Sequence, residues 1–217
     1  MPKIKEKRME EVRTFENTFD WHDYNSKNPF PKGSWNADIF KNENPIVLEL
    51  ACGKGEYSTG LGKLYPDKNF VGFDLKGNRL WVGAQRALDQ ELENVRFFRA
   101  YIDHLDQFFE KEEVSDIWII FPDPQLKKDR KKLTSPKFLK LYRPLLKSGA
   151  TINLKTDSQE LYEFTKEVIE EQNLQLLRDI KDVHKECQED PELSIKTYYE
   201  KMHLEKGKLI KFISFRP

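Results

Sequence analysis

Apolar and polar positions fall into two regimes along this chain. From about residue 45 onward, short runs rich in Val, Ile and Phe recur at intervals, separated by segments of helical pattern. "IVLELA" (46–51) is a continuous apolar run ending in a glycine turn. "NFVGFDL" (69–75), "VRFFRAY" (95–101), "DIWIIF" (116–121) and "ATINLKT" (150–156) repeat the type. Their length and their β-branched and aromatic content favour strand over buried helix. Between them lie candidate helices at 56–65, 78–92, 135–146 and 158–171. Gly60 and Gly62 weaken the first, whereas Ser135-Pro136 is a favourable start for the third. Strands alternating with helices predict an α/β fold, a mostly parallel sheet covered on both faces. The tail adds a strand-like 174–180, a short helix from about Thr197, and "KLIKFISF" (208–215), which is able to pair antiparallel.

Residues 1–44 lack this periodicity. They carry Trp21, Trp35, Pro29 and Pro31 and read as an N-terminal arm that packs in places, ahead of one domain over 45–217. A chain of 217 residues suffices for one domain with a real core and is short for two. No apolar run approaches the roughly 20 residues needed to cross a bilayer. The opening "MPKIKEKRMEEVRTFEN" has no apolar stretch of the secretory kind. Cys52 and Cys187 have no metal-ligand spacing. A cytoplasmic protein with no membrane contact and no bound metal is therefore expected. The 37 basic and 37 acidic side chains cancel, so overall charge points to no partner. Local charge is segregated: 127–132 is basic, as is the start with Lys3, Lys5, Lys7, Arg8 and Arg13, whereas 157–171 and 186–192 are acidic.

Candidate chemistry gathers where strands end, because ligands of open α/β sheets sit at the carboxyl ends of the strands. "LELACGKGEYS" sets Gly53 and Gly55 between a strand and a helix, allowing a tight turn and close approach of a ligand. Asp74 ends the next strand 21 residues after Gly53, where a carboxylate can accept from ribose hydroxyls. Turn and acid together favour a nucleoside-containing ligand. Glu49, inside the approach to the turn, would repel a pyrophosphate but suits the cationic groups of S-adenosylmethionine. Together with Ser58 at the third glycine position, it disfavours a dinucleotide and an NAD-dependent dehydrogenase. Asp123 follows the fourth strand between Pro122 and Pro124, which stiffen its loop. Lys127, Lys128, Arg130, Lys131 and Lys132 come next, a charge pattern suited to nucleic-acid phosphates. Asp157 ends the fifth strand and is also a good helix cap.

"LELACGKGEY", "FVGFDLKGNRL", "FPDPQLKKDRKKL", "LKTDS" and "TYYEKMHLEKGKLIKFISF" occur in this order and resemble the bacterial tRNA (guanine-N7-)-methyltransferases over roughly 45–216. The resemblance implies a Rossmann-like class I methyltransferase fold, a seven-stranded sheet with a reversed last strand. It also implies methyl transfer from S-adenosylmethionine to N7 of a guanosine in the tRNA variable loop. By motif, Glu49, Gly53, Gly55, Asp74 and Asp123 fall on cofactor positions, and Asp123 is also the active-site acid. Lys127, Asp157, Thr197 and Glu200 fall on substrate positions. The chain departs from the family in having Gln125 after Pro-Asp-Pro, Asp129 inside the basic run, and Tyr101 where an acid commonly meets the adenine. Asp103, two positions on, is the expected substitute. The residues alone leave open a class I methyltransferase acting on another RNA, a protein or a small molecule, an RNA-binding protein with a relict cofactor site, and either a monomer or a homodimer.

Overall fold

A computed structural model describes residues 2–25, 27–30 and 32–217. Pro31, one of the turn signals above, lies outside the described residues. The five apolar runs are strands, as their pattern predicts: β2 (Ile46–Leu50), β3 (Asn69–Asp74), β4 (Val95–Arg99), β5 (Val114–Ile120) and β6 (Leu146–Thr156). Every residue of β2 is buried, which explains why it is apolar at every position except Glu49: a central parallel strand is covered on both faces. Helices α2 (Glu56–Leu64), α3 (Gly77–Asp89), α4 (Pro136–Tyr142) and α5 (Gln159–Glu171) fill the intervals, followed by β7 (Gln175–Ile180), α6 (Val183–Glu186), α7 (Tyr198–Glu205) and β8 (Lys211–Arg216).

The sheet has eight strands rather than the expected seven, in the order β1-β4-β3-β2-β5-β6-β8-β7. The additional edge strand, β1 (Thr18–Asp20), pairs in parallel with Phe97–Arg99 of β4. Three residues carry no readable period, and this strand owes its conformation to the ladder it joins. β8 alone is reversed, running antiparallel to both β6 and β7. The first 44 residues also contribute α1 (Pro2–Glu11) and a π-helix over Trp35–Phe40. Trp35 is fully buried, stacks on Phe109 at 4.9 Å, and donates from Nε1 to the Phe108 carbonyl at 2.8 Å.

The core forms on both faces of the sheet by the two-residue alternation of strand side chains. Leu48, Leu50, Phe73, Phe98, Ile117 and Ile119 face one way, together with Phe30, Trp35 and Phe40. Val47, Phe70, Phe97, Trp118, Tyr57 and Leu80 face the other. From β2 the chain winds outward to β3 and β4 on one side and to β5 and β6 on the other. The crevice between the ends of β2 and β5 is therefore the topological switch point, where an α/β sheet binds its ligands.

Candidate active site

β2 runs into a turn whose backbone is held in the left-handed region at Ala51 (φ 58°), Gly53 (φ 57°) and Gly55 (φ 61°). Gly55 is irreplaceable on two counts, since a Cβ there would sit 2.3 Å from the Phe97 ring. Around Gly53 the space is open: a Cβ would meet nothing within 4 Å. The Gly53 N–H donates to Asp74 Oδ2 at 2.9 Å, and Asp74 Oδ1 accepts from the Lys76 N–H at 2.8 Å. Asp74 thus joins the glycine turn to the start of α3.

On the other side of the switch point, the loop after β5 is bracketed by left-handed residues that are not glycine, Phe121 (φ 47°) and Gln125 (φ 49°). Such backbone costs of order 1–3 kcal/mol per residue and persists where the surroundings over-determine it. Together with Pro122 and Pro124 it fixes Asp123, whose exposed carboxylate accepts the Gln125 N–H through Oδ1 at 3.0 Å. Asp157 follows β6. The cap of α5 is not Asp157 but Ser158, which accepts from the Leu161 N–H. Asp157 is instead held by Lys208, with Nζ 2.5 Å from Oδ2.

These loops enclose two cavities that meet at Ala51 and Asp74. The larger, about 950 Å³, brings together Asp74, Asp123 and Asp157, three of the acids expected from sequence. The smaller, about 410 Å³, is walled by Leu75, Tyr101, Asp103, Gln125 and Phe138. Tyr101 and Asp103 therefore do lie on one surface with Asp74, and Asp103 is ion-paired with Lys137. Lys127 is exposed on the loop beyond Asp123, outside either wall. The basic run does not all face outward. Lys132 is buried, with its ammonium 2.6 Å from Asp129 Oδ1 and 4.0 Å from the centre of the Phe164 ring. Asp129, the interruption in the run, is the partner that lets Lys132 turn inward.

Three expected site residues are buried in the interior and not on the cavity walls, namely Glu49, Thr197 and Glu200. Glu49 is buried beneath the glycine turn and accepts from the Ser58 N–H at 2.7 Å and from its hydroxyl. Burial pushes its carboxyl up to about 8, against the lowering effect of the Ser58 hydrogen bonds. An unfolded glutamate titrates near 4.5, so between there and about 8 the folded state holds a proton that the unfolded state releases. Stability from this group is therefore lost as pH rises through that window. Glu49→Gln keeps an acceptor for Ser58 but cannot ionise. Its melting temperature relative to wild type should climb steadily from pH 5 to pH 8, and parallel curves would refute the buried, protonated carboxyl.

Thr197 and Glu200 are likewise interior. Thr197 caps α7, its Oγ1 accepting the Glu200 N–H at 3.0 Å, and the Glu200 carboxylate lies 2.8 Å from the Lys155 ammonium. What α7 does present to the larger cavity is Tyr199 and His203, four residues apart on one face. His203 stacks on Phe121 with centroids 5.9 Å apart, and burial holds its imidazole below the ordinary value, with Asp157 opposing. Lys76 and Arg79 complete the cationic side of the cavity. Sequence reasoning did not single out any of these four. The i, i+4 spacing of Tyr199 and His203, and the two cations just past Asp74, are the signals that were available.

A family model described as "Putative methyltransferase" matches residues 43–213. A tRNA (guanine-N(7)-)-methyltransferase of Porphyromonas gingivalis is 50% identical over 188 residues, covering 86% of this chain and 77% of the relative. One from Bacteroides fragilis is 48% identical over 184 residues, covering 85% and 73%. The chain belongs to the tRNA (guanine-N7-)-methyltransferase family. Among solved structures, the 16S rRNA methyltransferase KamB superposes with a TM-score of 0.64 at 12% identity, covering 85% of this chain and 93% of that one. A SAM-dependent methyltransferase from Aquifex aeolicus gives 0.55 at 14% identity, with 85% and 93% covered. At such identities the likeness is one of fold, and it is the class I methyltransferase fold. The family match takes in every cavity residue discussed here and omits residues 1–42, which supply β1 and buried aromatic side chains.

Proposed function

We propose that this protein transfers a methyl group from S-adenosylmethionine to N7 of a guanosine in the variable loop of tRNA. The observation that carries this reading is the pair of cavities meeting at Asp74. One is sized and lined for a nucleoside. The other is larger, is walled in part by Asp123, and lies beside a loop that carries exposed Lys127, Lys128 and Arg130. The chain's own features fit the cofactor. The open face at Gly53 admits a ligand against the backbone, and Asp74 and Asp103 offer carboxylate acceptors to hydroxyl and amino donors. Glu49, buried under the turn, adds an ionisable group that a cation above it would stabilise in charged form. When bound, the cofactor supplies an electrophilic methyl group.

Guanine N7 has a free lone pair and no proton, so its methylation needs no general base. It needs alignment and tolerance of the positive charge that grows on the imidazole ring. Asp123 answers the second need as a fixed carboxylate. The strained, proline-flanked loop answers the first. Tyr199 offers an aromatic face for a base, and Thr197 and Glu200 serve the substrate side by fixing the helix that carries it. Asp157, charge-paired with Lys208, shapes the far wall. A target base engaged in folded tRNA must be exposed to reach this cavity, at some unstacking cost.

The deciding experiment is incubation with methyl-labelled S-adenosylmethionine and tRNA lacking N7-methylguanosine, followed by digestion and identification of the labelled nucleoside. Label in N7-methylguanosine is expected. Label elsewhere would keep fold and cofactor but remove this substrate, and no label despite cofactor binding would redirect the search to another acceptor. Lys127→Ala should weaken tRNA binding most at low salt, where a phosphate contact contributes most, and progressively less as salt rises. It should also lower the slope of log affinity against log salt by about one unit. An unchanged slope would remove Lys127 from the phosphate contacts.

A further inference from the structure

We propose that Trp21 and the Asp20–Arg99 pair are positioning residues for the adenosine end of the cofactor cavity, acting through Tyr101 and Leu75. The inference rests on reading the smaller cavity as part of the cofactor site. Two independent contacts lead into its wall from the segment around β1. The Trp21 ring meets Tyr101 edge to face, with centroids 5.7 Å apart at 72°. His104 approaches the same ring from elsewhere, at 6.1 Å and 87°. Tyr101 is 44% exposed and lines the cavity, so without these neighbours little would hold its ring in one orientation. An aromatic wall binds a nucleobase by stacking only if it is already in place.

The second contact is a clamp. Arg99 donates from Nη1 to Asp20 Oδ2 at 2.9 Å and from Nε to the Leu75 carbonyl at 3.1 Å. Asp20 is 3% exposed and also takes the His22 backbone N–H at 3.0 Å and its Nδ1 at 2.7 Å. Burial would raise this carboxyl, but the His22 and Arg99 hydrogen bonds hold it below the usual range, so it faces Arg99 as an anion. Leu75 follows directly on Asp74 and lines the same cavity. The clamp therefore ties the edge strand to the backbone beside the ribose-side acid. Trp21 and Asp20 lie outside the span of the family match, whereas Arg99, Tyr101 and Leu75, through which they act, lie within it.

Calorimetric titration with S-adenosylhomocysteine tests this without turnover. Trp21→Ala should weaken binding about three- to tenfold, the scale of one lost aromatic pair. Trp21→Phe should stay near wild type, and Arg99→Lys, which keeps the charge beside Asp20 but cannot also reach Leu75, should weaken binding by a smaller factor. Affinity for tRNA should be unchanged in all three. Wild-type affinity in both Trp21→Ala and Arg99→Lys would overturn the proposal. So would equal losses for S-adenosylhomocysteine and tRNA with a collapsed melting temperature, which would make the segment merely structural. If Trp21→Ala does not fold, Arg99→Lys alone decides. Failure of the wild-type protein to bind S-adenosylhomocysteine would instead remove the reading of the cavity itself.

Discussion

Asp123→Ala is expected to lose about two to three orders of magnitude in kcat while binding tRNA as tightly as wild type. The size follows from what deletion of one fixed electrostatic group costs where charge develops in the transition state. The binding half follows from geometry. The exposed cations proposed to meet phosphate begin at Lys127, and Pro122 and Pro124, which stiffen the loop, remain in the variant. Single-turnover methylation with saturating tRNA reads the chemistry, and filter binding reads the affinity. Asp123→Asn separates two ways the carboxylate can act. The amide oxygen can still accept the Gln125 N–H and keep the loop closed, but it carries no charge. If Asn restores the rate, Asp123 works by holding the loop. If Asn is as slow as Ala, the charge itself is what the transition state needs. Near wild-type turnover in Asp123→Ala would remove the residue from the mechanism.

The central sheet was legible because its inner strands are largely buried and therefore mostly apolar, as Ile46–Leu50 shows with Glu49 its one exception. Asp74, Asp123 and Asp157 were legible because each closes such a run, and strand ends share one rim. The sequence was silent where conformation is imposed from outside the segment. Thr18–Asp20 is a strand because β4 offers it a ladder, and α1 has no apolar stripe beyond Ile4 and Met9 to announce it. Orientation was hidden for a different reason. A carboxylate in a motif reads the same whether it faces a ligand or a buried partner. Glu49 turned out to accept from Ser58, Glu200 to pair with Lys155, and Lys132 to lie on Phe164. In each case the partner is remote in sequence or on another element, so no local pattern could reveal it.

The Lys155–Glu200 pair should be the most stability-critical polar contact described above. Neither side chain exposes any surface. Burial pushes the Lys155 ammonium below the ordinary lysine range, with Glu200 opposing. The ammonium also donates to the Leu193 carbonyl at 2.8 Å and the Ile195 carbonyl at 3.2 Å, while His184 Nε2 lies 2.9 Å from Glu200 Oε1. One lysine on β6 thus holds the loop before α7, and Glu200 within α7, against the sheet. Lys155→Met removes the cation but leaves a buried carboxylate and two carbonyls short of a donor. Breaking a buried pair on one side costs about 3–5 kcal/mol. A drop of that size in urea unfolding is expected, and a loss below about 1 kcal/mol would show that the pair is not a stability element. Replacing both partners, Lys155→Met with Glu200→Leu, should recover most of the loss, because the expensive feature is the uncompensated charge and not the missing attraction. The functional consequence is separable. Lys155→Met frees the helix that carries Tyr199 and His203 into the larger cavity, so tRNA turnover should fall even at temperatures where the protein remains folded. S-adenosylhomocysteine binding, which rests on the turn after β2 and the smaller cavity, should fall less.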